Sequence, residues 1–360
     1  MSAGVMPIGA DTYEHEALRG SVRTFLARHV VPEYANWDAI PRELLRRAAH
    51  DGFSGIHVPE SFGGPGVGDP RLSAIVAEEA MRVGAPALAL ALIGHDEAVV
   101  PALVRPGSGY QQSHLLPRLA TADVLATVVH GDVTVAVDGE RATVDGSACF
   151  VVQGVDAELL VVIGSDPARA VLVPRSADGL TIEPSPPSIG LRAAGLADVR
   201  FEGVTGQPLG EDGTAARELI ADLELGLAVT AVAGARAALA ITADYVQDRK
   251  AFGQPIASFQ NTRQALATAG SGLLAAEAFV AACLQERLAG PLAPARAAAL
   301  KLNCAELYGT VVDAGVQLHG GYGYIMEYPI AHAYADARFW RLYGAPTAAA
   351  MDLIAESILI

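Results

Sequence analysis

Apolar residues recur three and four positions apart over much of the first third of this chain. ALRGSVRTFLARHVVPEY keeps that spacing to Pro32, and PRELLRRAAHDGF keeps it to Gly52. A Gly/Pro-rich loop, GIHVPESFGGPG at 55–66, breaks the pattern before LSAIVAEEAMRVG resumes it, and residues 10–120 as a whole are predicted helical. Near residue 127 the period changes. TVVHGDVTVAVDGERATVDGSACFVV and AELLVVIGSDPARAVLVP are Val-rich, alternate apolar with polar, and carry the Asp-Gly and Gly-Ser pairs that hairpins require. Helical spacing returns beyond about 210, over 215–247, 258–288, 293–319 and 344–358. LAGPLAPARAAAL at 288–300 reads as a Pro-set turn between two of these helices. The expected domains are 1–120 (helical), 121–206 (β) and 207–360 (helical), an α+β chain.

One junction in this pattern carries chemistry. Leu225, Val229, Leu239 and Val246 mark one apolar face of a long helix, which then meets Arg249, Phe252-Gly253 and Pro255. Phe259-Gln260 opens the next helix. An Arg fork beside a Gly turn can cradle a flat anionic ligand, because Arg supplies paired donors and Gly admits close backbone approach. The same residues also suit a helix hairpin with a solvated Arg.

The string RKAFGQPIASFQ closely resembles the signature of the acyl-CoA dehydrogenase family, flavoproteins that oxidise the Cα–Cβ bond of acyl thioesters. Further motifs resemble that family in order. Pro59, Glu60, Gly63, Gly64, Gly66, Glu78 and Glu79 match its amino-terminal signature, although on pattern alone Glu78-Glu79 reads as a solvated helix face. LLPRLATADVLA (115–126), SIGLRAAGLADVRFEGV (188–204) and VQLHGGYGYIMEYP (316–329) match later segments, and Arg338, Tyr343 and the terminal AESILI follow at family spacing. The resemblance covers essentially the whole chain. It implies an N-terminal helical domain, a small middle β-barrel-like domain and a C-terminal four-helix bundle. It also implies FAD, held by Arg249, Phe252, Gly253, Ile256 and Phe259 from one subunit and by Gln317, Gly320 and Gly321 from its neighbour.

Two departures stand out against that resemblance. The family's T-E-x-x-x-G-S-D segment, which meets the flavin ring, has no counterpart in the shorter TVVHGDVTVAV (127–137), and in FVVQG (150–154) only the Gly of the ring-edge strand is plain. The base is the second. Removing an α proton needs a carboxylate beside the α carbon, yet Tyr343 is followed by Gly344 where most members have Glu. A subgroup carries its Glu 26 residues before the Arg, which by count is Leu223 here; Glu224 matches its D-L-E string if one helical residue is missing, and Gly234, also one place late, agrees. Such a slip turns a helix by roughly 100°. Glu224 is the expected base, with Asp222 and Glu218 as weaker candidates. His95, His130, His319 and His332 are isolated and are given no catalytic role, and Trp340 and Tyr343 read as core.

Composition narrows the rest. The chain has 360 residues, is 51% hydrophobic and carries a net charge of −15, which argues against a nucleic-acid partner. Cys149, Cys283 and Cys304 are too few and scattered for a disulfide framework or a metal site, and the last two read as core. No uninterrupted apolar run of about 18 residues and no leader pattern is found, so no membrane span and a cytoplasmic location are expected. The apolar content fits helical faces buried between copies, as a homodimer or homotetramer. The expected activity is α,β-desaturation of an acyl thioester, on CoA or acyl-carrier protein, with electrons passed to an electron-transfer flavoprotein. The alternative is a repurposed member: a non-catalytic subunit paired with a homologue, or an enzyme doing other chemistry on a carrier-bound acyl group.

Overall fold

The computed structural model describes residues 13–164 and 169–359. The first twelve residues of the expected N-terminal domain, 165–168 in the Val-rich stretch, and the last residue of AESILI lie outside the described residues. Helices α1 (Tyr13–His29), α2 (Arg42–His50), α3 (Pro70–Arg82), α4 (Pro86–Leu92), α5 (Val100–Val104) and α6 (Gly109–Ala120) open the chain, and a π-helical segment, Ile93–Val99, joins α4 to α5. Local chemistry sets their starts. Asp69 caps α3 by accepting from the Arg71 amide at 2.9 Å, with Pro70 in the first turn. Ser108 and Gln111 form a reciprocal capping box on α6.

Glu78 and Glu79 do not form a solvated face. Both are buried, Glu78 against Arg19 and Arg236 and Glu79 against Arg23 and Arg82. Apart from Arg82 on α3 itself, their cations come from α1 and from a helix more than 150 positions later, which periodicity within α3 cannot reveal.

Strands β1 (Ala126–His130), β2 (Asp132–Asp138), β3 (Arg141–Val151), β4 (Leu159–Ile163), β5 (Ala170–Pro174), β6 (Leu180–Pro184) and β7 (Ala197–Leu209) form a curled sheet in the order β1-β4-β5-β7-β3-β2, with β6 also on β7. The β layer therefore runs past 206 to Leu209. β2 shows the alternation expected of a strand with one solvated face, whereas LLVVI in β4 is apolar throughout. The reason is that β4 is buried on both faces. Leu160 and Val162 join a core inside the sheet with Val133, Val144 and Phe201, while Leu159, Val161 and Ile163 join the main helical core.

The C-terminal part holds α7 (Thr214–Asp248), a short hairpin of β8 (Lys250–Ala251) and β9 (Gln254–Pro255), then α8 (Gln260–Ala289), α9 (Pro294–His319), α10 (Pro329–Ala337) and α11 (Thr347–Leu359). The hairpin and α10 are additions to the elements read from the pattern. Pro86–Val104, α7 and α8 are each long and apolar enough to cross a membrane by length and composition, although none is an uninterrupted apolar run. The first two bury 94% and 72% of that stretch inside the protein, while α8 buries 28%.

Trp340 sits wholly in the core, as expected, edge-on to Tyr308, and its indole N–H donates to Leu227 O at 3.1 Å and Thr230 Oγ1 at 2.9 Å. It thereby ties the segment before α11 to the middle of α7. Trp340→Phe leaves those acceptors short of a donor and is expected to cost about 1–3 kcal/mol, read as a lower midpoint in urea unfolding with an unchanged m-value.

Candidate active site

Three carboxylates lie on the N-terminal third of α7, and the fold treats them differently. Asp222, 2% exposed, accepts from Arg105 Nη2 at 2.6 Å and from Arg287 Nε and Nη2 at 2.6 and 3.2 Å. Glu218 pairs with Arg105 Nε at 3.0 Å. Both are committed to arginines and have no charge to spare for a substrate. Glu224 is 1% exposed, makes no ion pair among the described residues, and leaves Oε1 without a hydrogen-bond partner. Burial drives its carboxyl up from 4.5 to about 7, against the pull of Lys301 and the Ala345 amide. Leu223, the position reached by simple counting, is an ordinary core residue.

What Glu224 faces is the segment Tyr343–Ala345. A Cβ built on Gly344 would stand 3.9 Å from Glu224 Cγ, 3.7 Å from Lys301 Cε and 3.0 Å from Leu227 Cδ1. Gly344 also has φ +85°, a backbone conformation that L side chains rarely adopt. The place where a side chain at 344 would project is thus reached by the Glu224 carboxylate from α7. Around it lie further polar groups that sequence reasoning passed over. Lys301, 3% exposed on α9, donates to Ala345 O at 3.4 Å; its signal was a lone cation in the apolar run AAALKLNCA. The Tyr343 hydroxyl is buried beside Gly94 with no hydrogen-bond partner, and burial pushes its pKa up. Thr127 on β1 donates to Val152 O at 2.6 Å, and next to Val152 the Gln153 side chain is buried with neither amide atom hydrogen-bonded. Gly131 is all that separates β1 from β2.

A second feature lies near the C-terminal end of α7. Arg249, Ile256, Gln317, Gly320 and Gly321 line one crevice of about 480 Å³, with Tyr245, His319 and Tyr322 as its aromatic wall. Arg249 stands over the Tyr322 ring at 5.4 Å, and Tyr245 stacks on His319 at 4.0 Å. Phe252 and Gly253 form the tip of the β8–β9 hairpin with φ of +50° and +82°, Phe252 being 96% exposed and edge-on to Phe259. Cβ atoms at Gly253, Gly320 and Gly321 would meet nothing within 4 Å, so the backbone there is open. Within one chain, Arg249 and the Gln317–Gly321 group line the same crevice. The helical turns between Glu224 and Arg249 put that crevice roughly 37 Å along α7 from the carboxylate, at 1.5 Å per residue.

Family models for the acyl-CoA dehydrogenase N-terminal domain and C-terminal domain match residues 12–123 and 213–359. The chain belongs to the acyl-CoA dehydrogenase family. It is similar to the mitochondrial long-chain specific acyl-CoA dehydrogenase of Sus scrofa, with 31% identity over 96% of this chain and 86% of that one. It is also similar to the probable acyl-CoA dehydrogenase FadE25 of Mycobacterium tuberculosis, 27% identical over 92% and 91%. The crystal structure of an acyl-CoA dehydrogenase from Geobacillus kaustophilus superposes with a TM-score of 0.89 at 26% identity, covering 98% of this chain and all of that one. The helical, β, helical order of this chain is thus the acyl-CoA dehydrogenase fold, in an oxidoreductase family.

The raised Glu224 pKa has a consequence for stability. The native carboxyl binds its proton more tightly than the unfolded one, so its contribution is fully present below pH 4.5 and is lost as pH rises through about 7. A shift of that size means ~3 kcal/mol of stability present at acid pH and lost by alkaline pH. Glu224→Gln is therefore expected to raise the melting temperature at pH 8 and to match the parent near pH 4, in paired thermal melts.

Proposed function

We propose that this chain is an FAD-dependent oxidoreductase that introduces an α,β double bond into an acyl thioester, with Glu224 as the base. The observation that carries this reading is a buried carboxylate, unpaired and half-satisfied, facing the side-chain-free Gly344. Burial lifts its pKa to about 7, so near neutral pH it can exist as carboxylate and accept a proton effectively. Asp222 and Glu218 are spent on arginines, which leaves Glu224 to take the α proton while the bond between the α and β carbons becomes double.

FAD, when bound, supplies the acceptor for the hydride that leaves the β carbon. The residues fit its phosphate end: the Arg249 fork lies on the crevice, and Gly320 and Gly321 offer backbone with no side chain in the way. The solved glutaryl-CoA dehydrogenase of Mycobacterium smegmatis, similar in fold, is described in complex with FADH2. Relatives described as acyl-CoA dehydrogenases support a CoA thioester as substrate, and the family's usual outlet, an electron-transfer flavoprotein, is the proposed electron acceptor. The uncovered apolar surface of α8 supports assembly with a second copy. Because roughly 37 Å of helix separates the crevice from Glu224, we place the crevice of one copy beside the Glu224 end of its neighbour.

A second reading draws on the abrupt β1–β2 turn at Gly131, which leaves no loop to lie over the flavin ring. It makes the chain a subunit that completes a homologue's site. The two readings separate on the flavin spectrum of freshly purified protein. A yellow protein bleached by an acyl-CoA supports the first, and a colourless one, stable only with a co-expressed homologue, supports the second.

Under the first reading, Glu224→Gln should abolish turnover with flavin retained, and undiminished turnover would remove Glu224 as base. Arg249→Ala should weaken FAD binding about ten- to a hundredfold through lost charge-assisted hydrogen bonds, measured by fluorescence titration of apoprotein. Moving the carboxylate back, in Glu224→Ala/Gly344→Glu, should not restore turnover, because φ at 344 strains any side chain by about 1–3 kcal/mol.

A further inference from the structure

The chain holds only two lysines, Lys250 and Lys301, among 25 basic residues. Where arginine is the default cation, a lysine sunk in the core calls for a reason. Lys301 lies in the apolar run of α9, 3% exposed, and its one hydrogen bond is a long one, 3.4 Å to Ala345 O. An ammonium held that way is poorly compensated. Its Cε and the Glu224 Cγ lie 3.7 and 3.9 Å from the same point, the Cβ that Gly344 lacks.

We propose that Lys301 is the positioning residue for Glu224: its ammonium is the buried counter-charge on the far side of Gly344, and its bond to Ala345 O holds the 343–345 loop in place against the carboxylate. This rests on the reading of Glu224 as base. The two groups form no ion pair within 4 Å, so the carboxylate is steadied without being consumed and Oε1 stays free for a proton. An arginine here would fork onto the carboxylate as Arg287 does on Asp222. A lysine is a compact point charge that can stand off.

The groups around the pair are few. Glu224 faces Lys301 from α9, the Ala345 amide from the loop and Leu227 from its own helix. Lys301 has Glu224 on the far side of Gly344, His130 from β1, and Glu306 on its own helix, the last held by Arg341 at 2.5 Å. Burial pulls the Lys301 ammonium below its ordinary range and Glu224 pulls it back; the same attraction opposes the rise of the Glu224 carboxyl. Taking the charge away therefore moves Glu224 further up.

The test is a carbon-13 NMR titration of side-chain carboxyls in the full-length protein, with Glu224→Gln assigning the signal. Lys301→Met and Lys301→Gln are expected to shift the Glu224 midpoint upward by about one unit or more, and the base limb of kcat should follow, costing roughly tenfold in turnover per unit at acid pH with KM unchanged. Lys301→Arg retains the charge and, by forking onto the carboxylate, should lower the midpoint rather than raise it. Folding of each variant is checked by its melt. Unmoved midpoints in folded Lys301→Met or Lys301→Gln overturn the proposal. If Glu224→Gln turns over normally, the assignment of the base falls, while the titration still judges the pairing on its own.

Discussion

A single buried carboxylate, Asp222, is gripped from two sides, by Arg105 just after α5 and by Arg287 near the end of α8. Three helices are fixed against one another through it. A buried ion cluster of this kind gives little net stability over an apolar substitute, but removing one partner strands charges and costs several kcal/mol. Its value here is geometric. With Asp222 held, the rotation of α7 is set, and Glu224, two residues on, is turned toward Tyr343–Ala345 rather than toward α8. The near-continuous apolar surface of α7 would otherwise tolerate several rotations.

The second constraint is the left-handed backbone at Gly344. Position 344 cannot carry a side chain comfortably, and the volume a side chain would take is already shared by Leu227, Lys301 and Glu224. Loop and helix are therefore complementary: one gives up its side chain, and the other supplies a carboxylate to the same spot. A helix holds that carboxylate more stiffly than a loop would, because its Cα is set by backbone hydrogen bonds on both sides.

The order of helical and β units was legible because each is announced by its own period, and Arg249, Gln317 and the glycines were legible because their spacing is local. Glu224 was reached by alignment but could be separated from Asp222 and Glu218 only by partners distant in sequence, Arg105 and Arg287. The same blindness to cross-element partners misread Glu78-Glu79, most of whose arginines lie on α1 and α7. It also hid Lys301, whose reason for being buried sits on another helix. The hairpin at 250–255 folds Arg249 back onto Tyr322, a return that helical periodicity does not predict. The π-helical turn at Ile93–Val99 left no mark in the apolar pattern, since every residue there is buried whatever the pitch.

The length of α7 between Glu224 and Arg249 has a further implication. Under the proposed function, one protomer offers both the Glu224 end and the crevice, but the span is too great for one flavin dinucleotide to serve both. Each protomer would then be half of two sites. Occupancy becomes a matter of mass action between copies: dilution should empty the sites well before any helix melts, and fully folded single protomers would be silent.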